Sequence, residues 1–212
     1  MDKLRFNIAI SLDGYVAGPS QSEENPIGIG GMKLHEWLLP LASFRQTHGG
    51  HGGEVNASTQ VVEEWFENIG ATIMGRNMFG PVRGPWGENL WRGWWGEDPP
   101  FHNPVFVLTH HPREQLEMDG GTTFHFITDG IEAALEGARE AAGGADISLA
   151  GGSSVARQYL GAGLVDEMEL SIVPLLLGSG ERLLDDVCDL ELEQLRVVEA
   201  PGVTHLKYRV AR

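Results

Sequence analysis

Ala150-Gly151-Gly152-Ser153-Ser154 follows the apolar run Ile147-Ser148-Leu149 and precedes a helix expected to run to about Gly161. A strand that turns on paired glycines into a helix makes an anion seat. Amides at a helix start lack intrahelical acceptors and carry the positive end of the peptide dipoles, which favours a phosphate. Gly151 and Gly152 let the backbone approach such a group without a Cβ in the way, and Ser153 or Ser154 can cap the helix or donate a hydroxyl. Two further expected strand ends carry cations: Met74-Gly75-Arg76, and Thr109-His110-His111-Pro112-Arg113.

In open α/β sheets ligands gather beyond the C-terminal ends of parallel strands. A backbone anion seat beside Arg76 and the His110, His111, Arg113 cluster suits a ligand with a pyrophosphate plus a separate phosphate. The phosphorylated nicotinamide dinucleotide, NADPH, has that form. A proton must accompany hydride transfer, and Asp13, Glu63, Glu64 or a bound water are the candidates, with Asp13 first because it follows the opening strand. Asp13-Gly14 is also an ordinary turn former. His35 and Trp37 either border the same cleft or pack in the core, and Glu181 is equally open.

The elements that would position these residues alternate. Leu4 to Leu12 reads as a buried strand, Tyr15 to Gly18 resumes it, and the glycine-rich stretch from Pro19 to Gly31 is long enough to be a lid. Lys33 to Phe44 has a helical pattern that Pro40 ends or kinks. Ser58 or Thr59 caps a helix over 60–68 that Gly70 closes, and Ala71 to Met74 is a short strand. Trp86, Trp91, Trp94 and Trp95 fall in an irregular segment, where packing is the main expectation. Val105 to Thr109 and Thr122 to Ile127 are strands, Thr128 or Asp129 caps a helix from Ile131 to Ala142, and Met168 to Val173 is a strand. Leu195 to Ala200 and Thr204 to Val210 pair around Pro201-Gly202. The order implies an α/β fold with a mixed, mainly parallel sheet, helices on both faces and a terminal antiparallel hairpin.

Composition narrows the partners. The 212 residues suffice for one domain spanning 1–212, and the net charge of −15 argues against nucleic acid or an anionic membrane. No apolar run approaches the ~20 residues of a membrane span, and no signal-peptide core is present, which points to the cytoplasm. The single cysteine, Cys188, excludes an internal disulfide and a Cys-x-x-Cys zinc pair. Histidines scattered in glycine-rich loops are a weak metal signal, and no metal is expected.

Taken in order, the segments 10–18, 73–76, 107–109, 150–153 and 164–180 resemble the dihydrofolate reductase-like superfamily. The nearest group contains the reductase domain of the riboflavin-biosynthesis deaminase/reductase. The resemblance implies an NADPH-dependent reductase with about eight strands in its central sheet, built as a homodimer. It implies that Ala9, Val16 and Ala17 flank the nicotinamide, that Gly75, Arg76 and Thr109 hold the adenosine side, and that Gly151 to Ser154 hold the pyrophosphate. Asp13 would face the substrate: a pterin-like, pyrimidine or ribosylamino-pyrimidine molecule reduced at C=N or C=O. The chain departs from the riboflavin-pathway pattern at Ala150, where a glutamate is usual, and from the dihydrofolate reductase pattern at Val62, where the helical acid would fall. Those departures keep a second reading open, a non-catalytic NADP(H)-binding or regulatory protein.

Overall fold

The computed structural model describes residues 2–81, 83–87 and 91–211. Eleven strands form along the described chain: β1 (Leu4–Ser11), β2 (Tyr15–Ala17), β3 (Ile69–Gly75), β4 (Pro104–Leu108), β5 (Leu116–Glu117), β6 (Thr123–Ile127), β7 (Asp146–Gly151), β8 (Glu167–Val173), β9 (Glu181–Arg182), β10 (Glu191–Ala200) and β11 (Val203–Ala211). The helices are α1 (Ala42–Thr47), α2 (Ser58–Phe66), α3 (Arg76–Phe79), α4 (Ile131–Ala142) and α5 (Ser153–Gly161).

Nine strands make one sheet in the order β10-β11-β8-β1-β7-β3-β4-β6-β5, and β2 pairs with β9 in a separate ladder. The run from β8 to β6 is parallel throughout, while β5, β11 and β10 add antiparallel edges. The main sheet therefore has nine strands where about eight are expected. The extra one, β5, is two residues long, too short to carry a hydrophobic period.

The two faces of the sheet are read directly from β1. Leu4, Phe6 and Ile10 enter one core with Leu135 and Ala138 of α4 and Val155 and Tyr159 of α5. Ala9 points the other way, into a core with Leu34, Trp37, Leu41 and Val62 of α2. This alternation is the two-residue period of a strand buried on both sides. The aromatic segment closes a third cluster, in which Trp86, 8 % exposed, packs with Phe79 and Phe124.

Several local expectations need correction. The stretch from Lys33 to Phe44 is not one helix: a 3-10 turn covers Gly31–His35, and α1 begins only after Pro40. Gly70 lies inside β3 rather than closing a helix. A Cβ there would stand 2.7 Å from the Ala142 carbonyl oxygen, so the glycine admits the end of α4. Neither Ser58 nor Thr59 is the N-cap of α2; Asn56 Oδ1 accepts the Ser58 amide, and the Ser58 hydroxyl is spent on His205. Helix α4 has the expected bounds, but Gly130 precedes it without a side-chain cap.

Candidate functional site

A cleft of about 680 Å³ opens over the C-terminal ends of the parallel strands. Register brings its floor together: Gly75 pairs with Leu108, Leu108 with Ile127, and Met74 with Gly151. The ends of β3, β4, β6 and β7 thus face one space. Gly75 is required by packing, since a Cβ there would stand 2.8 Å from the Val155 methyl of α5.

The glycine turn has the geometry of an anion seat. The first helical bond of α5 runs from the Ala156 amide to the Gly152 carbonyl at 3.0 Å, leaving the amides of Ser153, Ser154 and Val155 without intrahelical acceptors. The Gly151–Gly152 peptide is cis. Gly151 adopts φ 128°, a conformation that favours glycine, whereas a Cβ on Gly152 would meet nothing within 4 Å. Neither serine caps the helix. Ser153 Oγ donates to Glu181 Oε2 at 3.1 Å, which brings a carboxylate of β9 to the rim of the seat.

Arg76 supplies the positive end. It opens α3 at the end of β3 and donates from Nη1 to Thr109 Oγ1 at 3.1 Å and from Nη2 to the Gly84 carbonyl at 3.2 Å. Its guanidinium lies 3.2 Å above the Trp86 ring. Its Nε is buried without a partner. Burial, with Arg113 and Arg83 adding like charge, lowers its pKa to about 10. No carboxylate pairs with it among the described residues.

Ala9, Val16, Ala17, Gly75, Arg76, Thr109, His110 and Gly151 to Ser154 all line the cleft. Arg113 does not. It donates to the Trp91 carbonyl and lies between the Trp86 and Phe126 rings, 4.8 and 4.9 Å from their centroids. Its charge is felt at the site through Arg76.

The three acids also sit elsewhere. Asp13 accepts Ser11 Oγ at 2.6 Å and the Leu177 and Gly178 amides at 3.1 and 2.7 Å. The Ser11 bond above all, with the two amides, brings its pKa down to about 2, so it is an ionised brace between β1 and the loop after β8. Glu64 binds Arg196 at 2.7 Å on the α2 side of the sheet, and Glu63 is exposed on the same helix. Neither borders the cleft. The sequence pattern fixes α2 as amphipathic but does not say that its polar face meets β10 and β11.

Two residues left open by sequence do border it: Glu181 and His35. The stretch from Pro19 to Gly31 folds back on itself, the Gly18 amide donating to Ile27 and the Ile29 amide to Pro19, at 2.9 and 2.8 Å. Gln21, Pro26 and Ile27 of this stretch form one wall. Trp94 and Trp95 form part of another. Among the described residues no group of three or more His, Cys, Asp or Glu is placed to hold a metal, and no helix is long and apolar enough to cross a membrane.

Sheet order, the glycine turn before α5 and the cleft above the parallel strand ends define a dihydrofolate reductase-like α/β protein. The chain belongs to the RibD C-terminal domain family, whose model matches residues 2–206. It is 32% identical over 154 residues to the uncharacterized protein YyaP of Bacillus subtilis (strain 168), covering 68% of this chain and 76% of that one. Among solved structures, a Shewanella sp. PV-4 protein assigned provisionally to riboflavin biosynthesis superposes with a TM-score of 0.66 at 21% identity, covering 99% of both chains. Acinetobacter baumannii RibD gives 0.62 at 18%, over all of this chain and 59% of that one. Enterococcus faecalis dihydrofolate reductase complexed with NADP(H) gives 0.52 at 13%, over 99% and 97%. At these identities the structural likeness establishes the fold.

Proposed function

We propose that this protein is an NADPH-dependent reductase, acting as a single cytoplasmic domain in a homodimer, that delivers hydride to a C=N or C=O carbon of a pterin-like, pyrimidine or ribosylamino-pyrimidine substrate. The observation that carries the reading is Arg76: among the described residues its guanidinium has no carboxylate partner and its Nε is orphaned, in a chain of net charge −15. Such a cation suits the extra phosphate that distinguishes NADPH from NADH. The residues present fit the dinucleotide. Gly152 leaves open space at the α5 amides for the pyrophosphate, and Ala9, Val16 and Ala17 offer small apolar contacts for the nicotinamide.

When bound, the nicotinamide supplies the hydride; the protein's work is to hold two rings face to face and exclude water. Arg76 and Thr109 fix the adenosine end, the α5 amides hold the middle, and the wall formed by Pro26 and Ile27 shields the reacting end. Asp13, ionised and bonded on both oxygens, braces this frame rather than donating the proton.

Calorimetric titration of the purified protein with NADPH and with NADH tests the cofactor, and loss of nicotinamide absorbance on adding candidate substrates tests turnover. Binding of neither cofactor by folded protein would overturn the reading. The position of Asp13, Glu63 and Glu64 away from the cleft favours one rival, an NADP(H)-binding protein without turnover; substrate-dependent NADPH oxidation would sink it.

A further inference from the structure

Glu181 is the one carboxylate among the described residues that line the cleft. It stands where an acid looks out of place. Ser153, in the first turn of α5, donates from Oγ to its Oε2 at 3.1 Å, beside amides that favour an anion. Two sides fix its position. Glu181 pairs with Ala17 across the ladder of β2 and β9, which puts the two side chains on one face. Gly180, at φ 130°, admits this approach, since a Cβ there would stand 2.0 Å from the Ala17 carbonyl oxygen. From the other side, Arg157 of α5 donates to the Arg182 carbonyl at 2.7 Å and ties β9 to the helix. Arg182 is itself engaged, with Asp185 at 3.0 Å and with the Tyr15 ring, whose centroid lies 5.0 Å away. Among the described residues no cation pairs with Glu181, and Ser153 is the only side chain bonded to it.

A carboxylate accepts hydrogen bonds and donates none, so this one repels a bare phosphate and suits a group that carries hydroxyls. On the reductase reading the α5 amides hold the pyrophosphate and Ala17 flanks the nicotinamide. The group that joins those two parts of the ligand is a ribose with neighbouring hydroxyls. We propose that Glu181 accepts the hydroxyls of the nicotinamide ribose, and that Ser153 is the positioning residue that aims the carboxylate. Bonds from hydroxyls to a carboxylate are charge-assisted and shorter than neutral ones, so they hold the sugar and thereby the ring attached to it. The seat is then selective in two directions: it disfavours a terminal phosphate and favours a phosphate continued by a sugar. The inference rests on the reductase reading for the order of groups along the cleft; the placing of an acid beside an anion seat does not.

The test is calorimetry in EDTA with three ligands: NADPH, 2′-phospho-ADP-ribose, which keeps the second ribose, and 2′-phospho-ADP, which ends in a phosphate. Wild type, Glu181→Gln and Glu181→Ala are compared. Glu181 is exposed, so both variants should melt with the wild type. Affinity for NADPH and for 2′-phospho-ADP-ribose is expected to fall about tenfold in Glu181→Ala. In Glu181→Gln, whose amide oxygen still accepts one hydroxyl, the expected fall is about threefold. Affinity for 2′-phospho-ADP is expected to hold or to rise by up to about threefold, because the repelling charge is gone. A merely structural role would weaken all three ligands together. Equal loss for all three, or no loss for the two that carry the ribose, would overturn the proposal. So would NADPH binding that Mg²⁺ tightens in the wild type but not in Glu181→Gln, since the carboxylate would then hold a cation. NADPH binding that depends on Arg76 and not on Glu181 would overturn this proposal alone. Binding of none of the three ligands by folded protein would overturn it together with the reductase reading.

Discussion

The Arg76 guanidinium donates to the Thr109 hydroxyl across 3.1 Å, tying the end of β3 to the end of β4 while its other face rests on Trp86. The side chain is therefore held in place before any ligand arrives, and less side-chain freedom remains to be lost on binding. Arg76→Ala removes a charge-assisted contact of about 1.5–3 kcal/mol, so NADPH affinity is expected to fall by about 10- to 100-fold. NADH affinity should change much less. Calorimetry with both cofactors checks this, and an equal loss for both would show that Arg76 does not read the extra phosphate.

Gly152 and Gly18 should respond in opposite ways to substitution. A Cβ on Gly152 meets open space, and its φ of −79° suits any L residue. Gly152→Asp is expected to keep the wild-type melting temperature within a few degrees while placing a carboxylate in the anion seat, lowering cofactor affinity by about 100-fold or more. A Cβ on Gly18 would stand 2.0 Å from the Ile29 carbonyl oxygen. Gly18→Ala must push apart the two arms of the Pro19 to Gly31 stretch, so lower stability and increased protease cleavage within 19–31 are expected, measured by thermal melts and limited proteolysis.

The glycine turn, the terminal hairpin and the bounds of α4 are legible in the sequence because each rests on a local signal: paired glycines, Pro201-Gly202 between β-prone runs, and an apolar face ended by Gly143. That Arg76 and Thr109 line the cleft is legible too, because strand ends in a parallel sheet converge, whereas Ala9 is reached only through the family resemblance. What escapes is long-range. Glu64 finds Arg196 132 residues away, and Asp13 finds Gly178 165 residues away. No local spacing announces either partner, so acids that look available are already engaged. The two-residue strands β5 and β9 exist only through their neighbours in space.

Asp13 is expected to act on stability and not on proton delivery. Asp13→Asn replaces one carboxylate oxygen by an N–H group that cannot accept from the Leu177 or Gly178 amide. The loop after β8 should loosen and the melting temperature should fall by several degrees. The pH profile of NADPH oxidation should keep its shape. Loss of a titration step from that profile in Asp13→Asn would restore Asp13 as the proton donor. The folded pKa lies below the ordinary value of 3.8, so this brace is fully present above about pH 4 and is lost as pH falls through about 2.

His205 governs a higher window. Its ring is fully buried between two serines, Nε2 lying 2.9 Å from Ser58 Oγ and Nδ1 2.9 Å from Ser171 Oγ. Trp37 stands edge-on at 5.0 Å. Burial, and secondarily Arg196, lowers the ring's pKa to about 4 from an ordinary 6.5. Between those values the unfolded chain binds a proton that the folded chain refuses, so stability rises with pH across the window. The contribution is complete above about pH 6.5 and is lost progressively on acidification toward pH 4, amounting to about 3 kcal/mol in all. Urea denaturation from pH 7.5 down to pH 4.5 should show this slope. His205→Gln, which can still bond one serine, should be less stable at pH 7.5 and flatter by about one proton, because the group that must shed its proton is gone. An unchanged slope in His205→Gln would mean that other histidines, such as His35 and His125, whose pKa values burial also lowers, carry the acid sensitivity instead.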